Sequence, residues 1–436
     1  MSKIFFEVNS DNIKYILSNA HPPELFEVDS ILENADTREL TKYEIALLIA
    51  AMNSPIFEEI KKKVISKSRT IRHRIHGNKV IPMAPVEVTN RCSSNCNFCG
   101  WRSDNKDMNR MTVSESLMMT QISYLLSKGI GHIELVGGDD IGFVKNTLPK
   151  LIPEVKKKQE NMEGGKLSFC TMALTENQYK KLKAIGADTM IMWQETYDKN
   201  VFKQHITAGP KAWGIDDDFK VIKGGDGYKF RLESQDRAAE AGLGLSVGAI
   251  LGLNPDYGFE ILATIDHANH LIEKWEPSEP IIVGMPTWNK ITTPRTDNRP
   301  EQTLPIENFF TYFSCLYFLA LNKHKTWVFP NCRVSIDIQV EAVDASGVFT
   351  STEVKLGPGG YVNSALKHLT HTQQDKVKTE LIALFKDDVD NSDIQKYLDD
   401  MEQFQHHYHV HEDYIAAFDK VNLVCETEKN ILISSE

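Results

Sequence analysis

The stretch that decides the fold is residues 84–101, Ala-Pro-Val-Glu-Val-Thr-Asn-Arg-Cys-Ser-Ser-Asn-Cys-Asn-Phe-Cys-Gly-Trp. It begins as a short apolar run, APVEVTN (84–90), which reads as a strand, and passes straight into three cysteines within eight residues. The spacing Cys92-x3-Cys96-x2-Cys99 suits a loop wrapped around one metal cluster. Thiolates are the usual ligands of iron–sulfur clusters. Four irons normally take four thiolates, and no fourth cysteine lies nearby, since Cys170, Cys315, Cys332 and Cys425 are scattered along the chain. One iron would keep an open position for a small molecule, by the logic of an open catalytic zinc. A three-cysteine zinc site, a plain electron-transfer cluster and reduced structural thiols are the competing readings.

Downstream of this loop the same pattern recurs. Apolar runs rich in β-branched residues stand at 132–138, 166–172, 188–196, 243–253, 280–286 and 326–332. Helix-like stretches such as SESLMMTQISYLLSKG (114–129) separate them. Strands alternating with helices imply a parallel sheet, and six or more such units point to a partial or full TIM-like (β/α) barrel. A doubly wound open sheet is the alternative, and the chain has no dinucleotide-binding glycine fingerprint to support it. Residues 1–80 read as an N-terminal helical segment, with TKYEIALLIAAMNSPIFEEIKKKV (41–64) in helical apolar spacing. The barrel spans 81–364, and 365–436 reads as a polar, helical C-terminal extension. In its QHHYHVHED run (405–413), His406, His407, His409 and His411 beside Glu412 and Asp413 are dense enough to bind a divalent metal, but the run reads rather as a solvated, adventitiously metal-binding tail whose histidines point apart.

The chain has 436 residues, 41% hydrophobic and 25% charged, an ordinary globular balance. A net charge of −11 speaks against nucleic acid as a partner. No apolar run approaches the length of a membrane span. The N-terminus lacks the h-region of a signal peptide, so the cytoplasm is the expected compartment. Seven cysteines, three of them crowded together, favour a metal site over disulfides there.

CxxxCxxC with an aromatic before the last cysteine, here Phe98, resembles the signature of the radical S-adenosylmethionine (SAM) superfamily. That resemblance implies a 4Fe-4S cluster on Cys92, Cys96 and Cys99. It also implies SAM on the open iron, reductive cleavage to a 5′-deoxyadenosyl radical, and hydrogen abstraction from a small-molecule substrate. Other segments extend it. Gly137-Gly138-Asp139 ends the second apolar run and resembles the motif facing the ammonium of SAM, with Asp139 where Glu is commoner. Trp193-Gln194-Glu195-Thr196-Tyr197 resembles a segment of the tyrosine and tryptophan lyases, and Glu195 would hold the SAM ribose. Arg231 stands eleven residues before Gly242, the interval of the SAM-carboxylate arginine in biotin synthase and its relatives; Arg237 is its competitor. Gly248, in SVGAILGL (246–253), resembles the strand whose backbone lies against adenine.

The resemblance runs from about residue 82 to 345 and is nearest to the tyrosine lyase, tryptophan lyase and biotin synthase group. It implies an amino-acid substrate, C–C cleavage or rearrangement, and an electron donor such as flavodoxin or ferredoxin. Arg333 falls near the position of the lyases' substrate-carboxylate arginine. Two departures stand out. MPTWNKITTPRTDNRP (285–300) is longer and differently built than the lyases' counterpart, and places Trp288 and Asn289 where they would shape a substrate pocket. Cys425 alone cannot supply the second-cluster motif of the hydrogenase-cofactor lyase. A sulfur-inserting or mutase-type radical SAM enzyme is the alternative reading, and a non-enzymatic iron–sulfur or zinc module the second.

Overall fold

The runs of β-branched residues become short parallel strands set around a ring in the computed structural model. The structure describes residues 5–426, apart from 161, 163–164, 290–304, 367–368, 386–400 and 405. The barrel strands are β1 (Lys79–Thr89), β2 (His132–Gly137), β3 (Lys166–Cys170), β4 (Thr189–Met190), β5 (Ser246–Gly248), β6 (Ile281–Gly284), β7 (Thr326–Phe329) and β8 (Phe349–Ser351). One sheet runs β8-β1-β2-β3-β4 and a second β5-β6-β7, all parallel. Single parallel bridges, Thr189 to Gly244 and Val328 to Gly347, join the two sheets on both sides. The ring is therefore a full (β/α) barrel. Its eighth strand, Phe-Thr-Ser, has only three residues and one apolar side chain, too little to register as a period-two pattern. Pairing of Phe349–Ser351 with Ile81–Met83 makes it a strand.

Alternation along β1 sorts its two faces. Met83, Pro85 and Glu87 point into the barrel and line its cavity, while Val86 and Val88 are fully buried in the layer beneath the outer helices. The four N-terminal helices, Ser10–Asn19, Leu25–Asn34, Lys42–Ala50 and Phe57–His76, bring Ile13, Val28, Ile45 and Val64 into that same core. Thr41 starts the third with a capping box closed by Glu44. Buried Asp236 ties this segment down by accepting from the Phe6 N–H and pairing with His270 and Lys274.

The C-terminal extension reaches both ends of the barrel. Its last strand, β9 (Val424–Cys425), pairs with β1 at Lys79 and Val80, at the end of the barrel where β1 begins. Helix His411–Asp419 buries Tyr414 and Phe418 against Val340 and Val343. Residues 401–404 lie at the opposite end, on the cysteine loop: Trp101 Nε1 donates to the Met401 carbonyl at 2.9 Å, and Gly100 N to the Gln403 carbonyl at 3.1 Å. Among the described residues, no helix is long and apolar enough to cross a membrane.

Candidate active site

In a (β/α) barrel the loops after the strands share one rim, so residues distant in sequence meet there. The cavity at this rim is lined by Cys92, Cys96 and Cys99 from the loop after β1, and by Gly137, Gly138 and Asp139 from the end of β2. Glu195, Arg231, Arg333 and Phe98 line it too. The loop is held close to β2 because residue 138 has no side chain. A Cβ at Gly138 would lie 2.4 Å from the Arg91 carbonyl oxygen and 2.9 Å from Cys92 Cβ. Ser93 N also donates to the Asp139 carbonyl at 3.0 Å.

All three thiols are desolvated, and burial raises their pKa values: Cys92 to about 12, Cys99 upward, and Cys96 well above its ordinary value. As free thiols they stay protonated at neutral pH; binding iron would displace those protons. Two donors already point at the sulfurs. Ser94 N donates to Cys92 Sγ at 3.4 Å, and Gln403 Nε2 to Cys99 Sγ at 3.1 Å.

Beside the cysteines lies a charged triad. Glu195 Oε1 accepts from Arg231 Nη2 at 2.9 Å and from Lys211 Nζ at 2.7 Å. Burial alone would raise the Glu195 pKa, but the two cations outweigh it and hold the carboxylate ionised. Burial likewise disfavours the Lys211 ammonium, and the Glu195 charge more than restores it. Two cations and one anion leave a surplus positive charge, suited to a ligand carboxylate. Glu195 sits at φ 73°, a left-handed conformation uncommon for a residue with a side chain. Its carbonyl accepts from Ile250 N at 2.8 Å, and Arg231 Nε donates to the Trp193 carbonyl at 2.8 Å. The next two residues are fixed from behind: Thr196 Oγ1 and Tyr197 N donate to buried Glu260.

Arg237 is taken up elsewhere. Its guanidinium donates to the Leu174 and Phe230 carbonyls and stacks on the Phe230 ring at 4.2 Å, away from the cavity. Gly248 is not part of the cavity lining; Ile250, two residues on, is. The missing side chain at 248 instead admits the Gly284 carbonyl oxygen, 2.4 Å from where a Cβ would stand. Trp288 and Asn289 line a second, adjoining cavity that meets the first at Arg333 and His406. There Asn289 Nδ2 donates to the Arg333 carbonyl at 2.9 Å, and Trp288 packs edge-on to His205. Most of the 285–300 segment lies outside the described residues.

Two expectations are corrected by the tertiary structure. Cys170 and Cys332, remote in sequence, line the same cavity as the cysteine loop, because Cys170 ends β3 and Cys332 lies in the loop just past β7. The histidine run is not simply solvated. His406 lines the cavity, and burial with the nearby Arg333 charge keeps it neutral; His411 is buried against Thr352, Nδ1 to Oγ1 2.9 Å. Sequence reasoning also missed Lys211, Gln403 and Phe404. Phe404 lies 4.1 Å from the Arg333 guanidinium, face on, and Arg333 Nη1 donates to the Thr287 carbonyl at 3.1 Å. Only the polar, unperiodic character of 401–411 hinted that this segment was more than a surface helix.

Comparison with known proteins gives the same picture. The chain is 22% identical to 2-iminoacetate synthase of Salmonella typhimurium over 221 residues, 50% of this chain and 53% of that one. It is 27% identical to the [FeFe] hydrogenase maturase subunit HydE of Thermotoga maritima over 166 residues, 38% of this chain and 45% of that one. The chain thus matches about half the length of these relatives. The solved structure of the FeFe-hydrogenase maturase HydG from Carboxydothermus hydrogenoformans superposes with a TM-score of 0.71 at 19% identity, covering 95% of this chain and 83% of that one. These relatives are radical SAM enzymes, and the chain is similar to them in sequence and shares their barrel fold. No family model matches it. The cofactors of radical SAM proteins are a 4Fe-4S cluster and SAM.

The residues present fit those groups. Three thiols face one cavity, yet among the described residues no three His, Cys, Asp or Glu side chains converge as ligands of a single ion. Three thiols facing one cavity are the donor set that an iron–sulfur cluster takes. Beside them Asp139 Oδ2, buried and without a partner in the protein, awaits a donor such as an ammonium.

Proposed function

We propose that this chain is a radical SAM enzyme acting on an amino acid, with C–C bond cleavage or rearrangement as the outcome. The single observation that carries the reading is the convergence of Cys92, Cys96 and Cys99 with Asp139, Glu195 and Arg231 around one cavity at the carboxyl-terminal mouth of a full barrel. The cluster and SAM, when bound, would supply one-electron reductive chemistry for hydrogen abstraction, with the electron coming from a low-potential donor of the flavodoxin or ferredoxin class. The protein's part is to bind, orient and shield. Cys92, Cys96 and Cys99 would hold the cluster. Asp139 accepts from the ammonium of SAM, and the surplus charge of the Lys211–Glu195–Arg231 triad receives its carboxylate. Glu195 would accept from the ribose hydroxyls of SAM.

Arg333, stacked under Phe404, takes the substrate carboxylate and so fixes which hydrogen faces the radical carbon. Trp193, Phe329 and Phe404 supply apolar walls that exclude water from a reactive intermediate. The test is anaerobic reconstitution of the full chain. About four irons per chain are expected, with loss of iron when Cys92, Cys96 and Cys99 are replaced by Ala together. Dithionite should then drive conversion of SAM to 5′-deoxyadenosine, faster with the right amino acid. One tightly held zinc with no iron uptake would overturn the reading.

A further inference from the structure

We propose that Gln403 is a positioning residue that sets the reduction potential of the cluster through its side-chain hydrogen bond to Cys99. The inference rests on the reading that the three cysteines hold a cluster. Gln403 Nε2 stands 3.1 Å from Cys99 Sγ, although the two residues are 304 positions apart. The contact is not a chance touch of a loose side chain. The Gln403 carbonyl accepts from Gly100 N at 3.1 Å, and the Met401 carbonyl from Trp101 Nε1 at 2.9 Å. Phe404, next in sequence, is buried with its face on the Arg333 guanidinium. The backbone on both sides of Gln403 is thereby held against the cysteine loop, and its amide is delivered to one sulfur.

Reduction adds one electron to the cluster from the protein donor, with no bond to the protein made or broken. The added charge spreads onto the thiolate sulfurs in a site where Cys96 and Cys99 are almost completely shielded from water. An N–H donor aimed at a sulfur stabilises the more negative, reduced state, and such donors are among the factors that set iron–sulfur potentials. The Ser94 amide does the same for Cys92 but belongs to the backbone, so Gln403 is the donor that substitution can remove.

The experiment is an EPR-monitored redox titration of the reconstituted full-length chain, wild type against Gln403→Met and Gln403→Glu. Methionine keeps the length and loses the donor; glutamate sets a carboxylate against the sulfur. The equilibrium constant for one-electron reduction should fall threefold to tenfold in Gln403→Met, tenfold being 59 mV for one electron. It should fall further in Gln403→Glu. A potential equal to that of wild type in a Gln403→Met protein holding four irons would overturn the tuning role and leave the proposed function intact. If neither variant holds iron while wild type does, Gln403 serves assembly and the tuning role is again overturned. Wild-type protein that holds no iron would instead remove the cluster reading itself.

Discussion

Replacing Gly138 by alanine puts the link between β2 and the cysteine loop under direct strain. A Cβ there would stand 2.4 Å from the Arg91 carbonyl oxygen and 2.9 Å from Cys92 Cβ, whereas ordinary contact begins near 3.4 Å. The loop would have to retreat by about 1 Å, the difference between 3.4 and 2.4. Neither neighbour is a flexible side-chain end: one is backbone and the other is the first atom of a cluster ligand. Overpacking of this kind costs about 1–3 kcal/mol. The displacement falls on Cys92, so iron binding should suffer more than folding. The assay is iron per chain after anaerobic reconstitution, alongside the urea midpoint of the iron-free protein. Gly131→Ala is the control, since its nearest neighbour would lie at 3.4 Å. We expect Gly138→Ala to lose most of its iron and about 1–3 kcal/mol of stability, and Gly131→Ala to change little. A Gly138→Ala protein with the full complement of iron and an unchanged midpoint would refute the close packing of loop on strand.

Arg231→Ala should weaken SAM binding by about 1.5–3 kcal/mol, the size of a hydrogen bond to a charged group, measured by calorimetry on the reconstituted protein. Unchanged affinity would move the SAM carboxylate elsewhere, and Arg237, bonded to two carbonyls outside the cavity, is not the substitute. Arg333→Ala should raise by roughly tenfold or more the concentration of amino acid needed to stimulate SAM cleavage, with partial recovery in Arg333→Lys; an unchanged half-saturation would remove Arg333 from substrate binding. Glu134 lies inside the barrel, and burial raises its pKa from 4.5 to about 8. A raised carboxyl pKa gives a contribution fully present below about pH 4.5 and lost as pH climbs through 8. Between pH 5 and 7 the iron-free wild type should therefore lose about 2–3 kcal/mol that Glu134→Gln keeps, seen as diverging urea midpoints. Parallel midpoints would show that Glu134 is ionised at neutral pH in the fold.

The sequence by itself determined what depends on short spacings. Three cysteines in eight residues need only a local loop, and strand-to-loop transitions such as HIELVGG and MIMWQET announce themselves by β-branched runs ending in small or charged residues. From these follow the barrel, its cluster loop and the rim positions of Asp139 and Glu195, while Arg231 entered through the resemblance alone. Two elements needed the tertiary structure. The eighth strand, Phe349–Ser351, is too short to carry a period and exists because Ile81–Met83 offers it a partner. Lys211 and Gln403 sit in segments with no pattern of their own, yet one pairs with Glu195 and the other reaches Cys99. Arg231 and Glu195 were legible singly, but not that one neutralises the other before any ligand arrives. The physical reason is the same in each case. Periodicity and motif spacing report what a residue does to its neighbours within a few positions. Desolvation, ion pairing and hydrogen bonds to a sulfur depend on which distant segment the closed barrel sets against it.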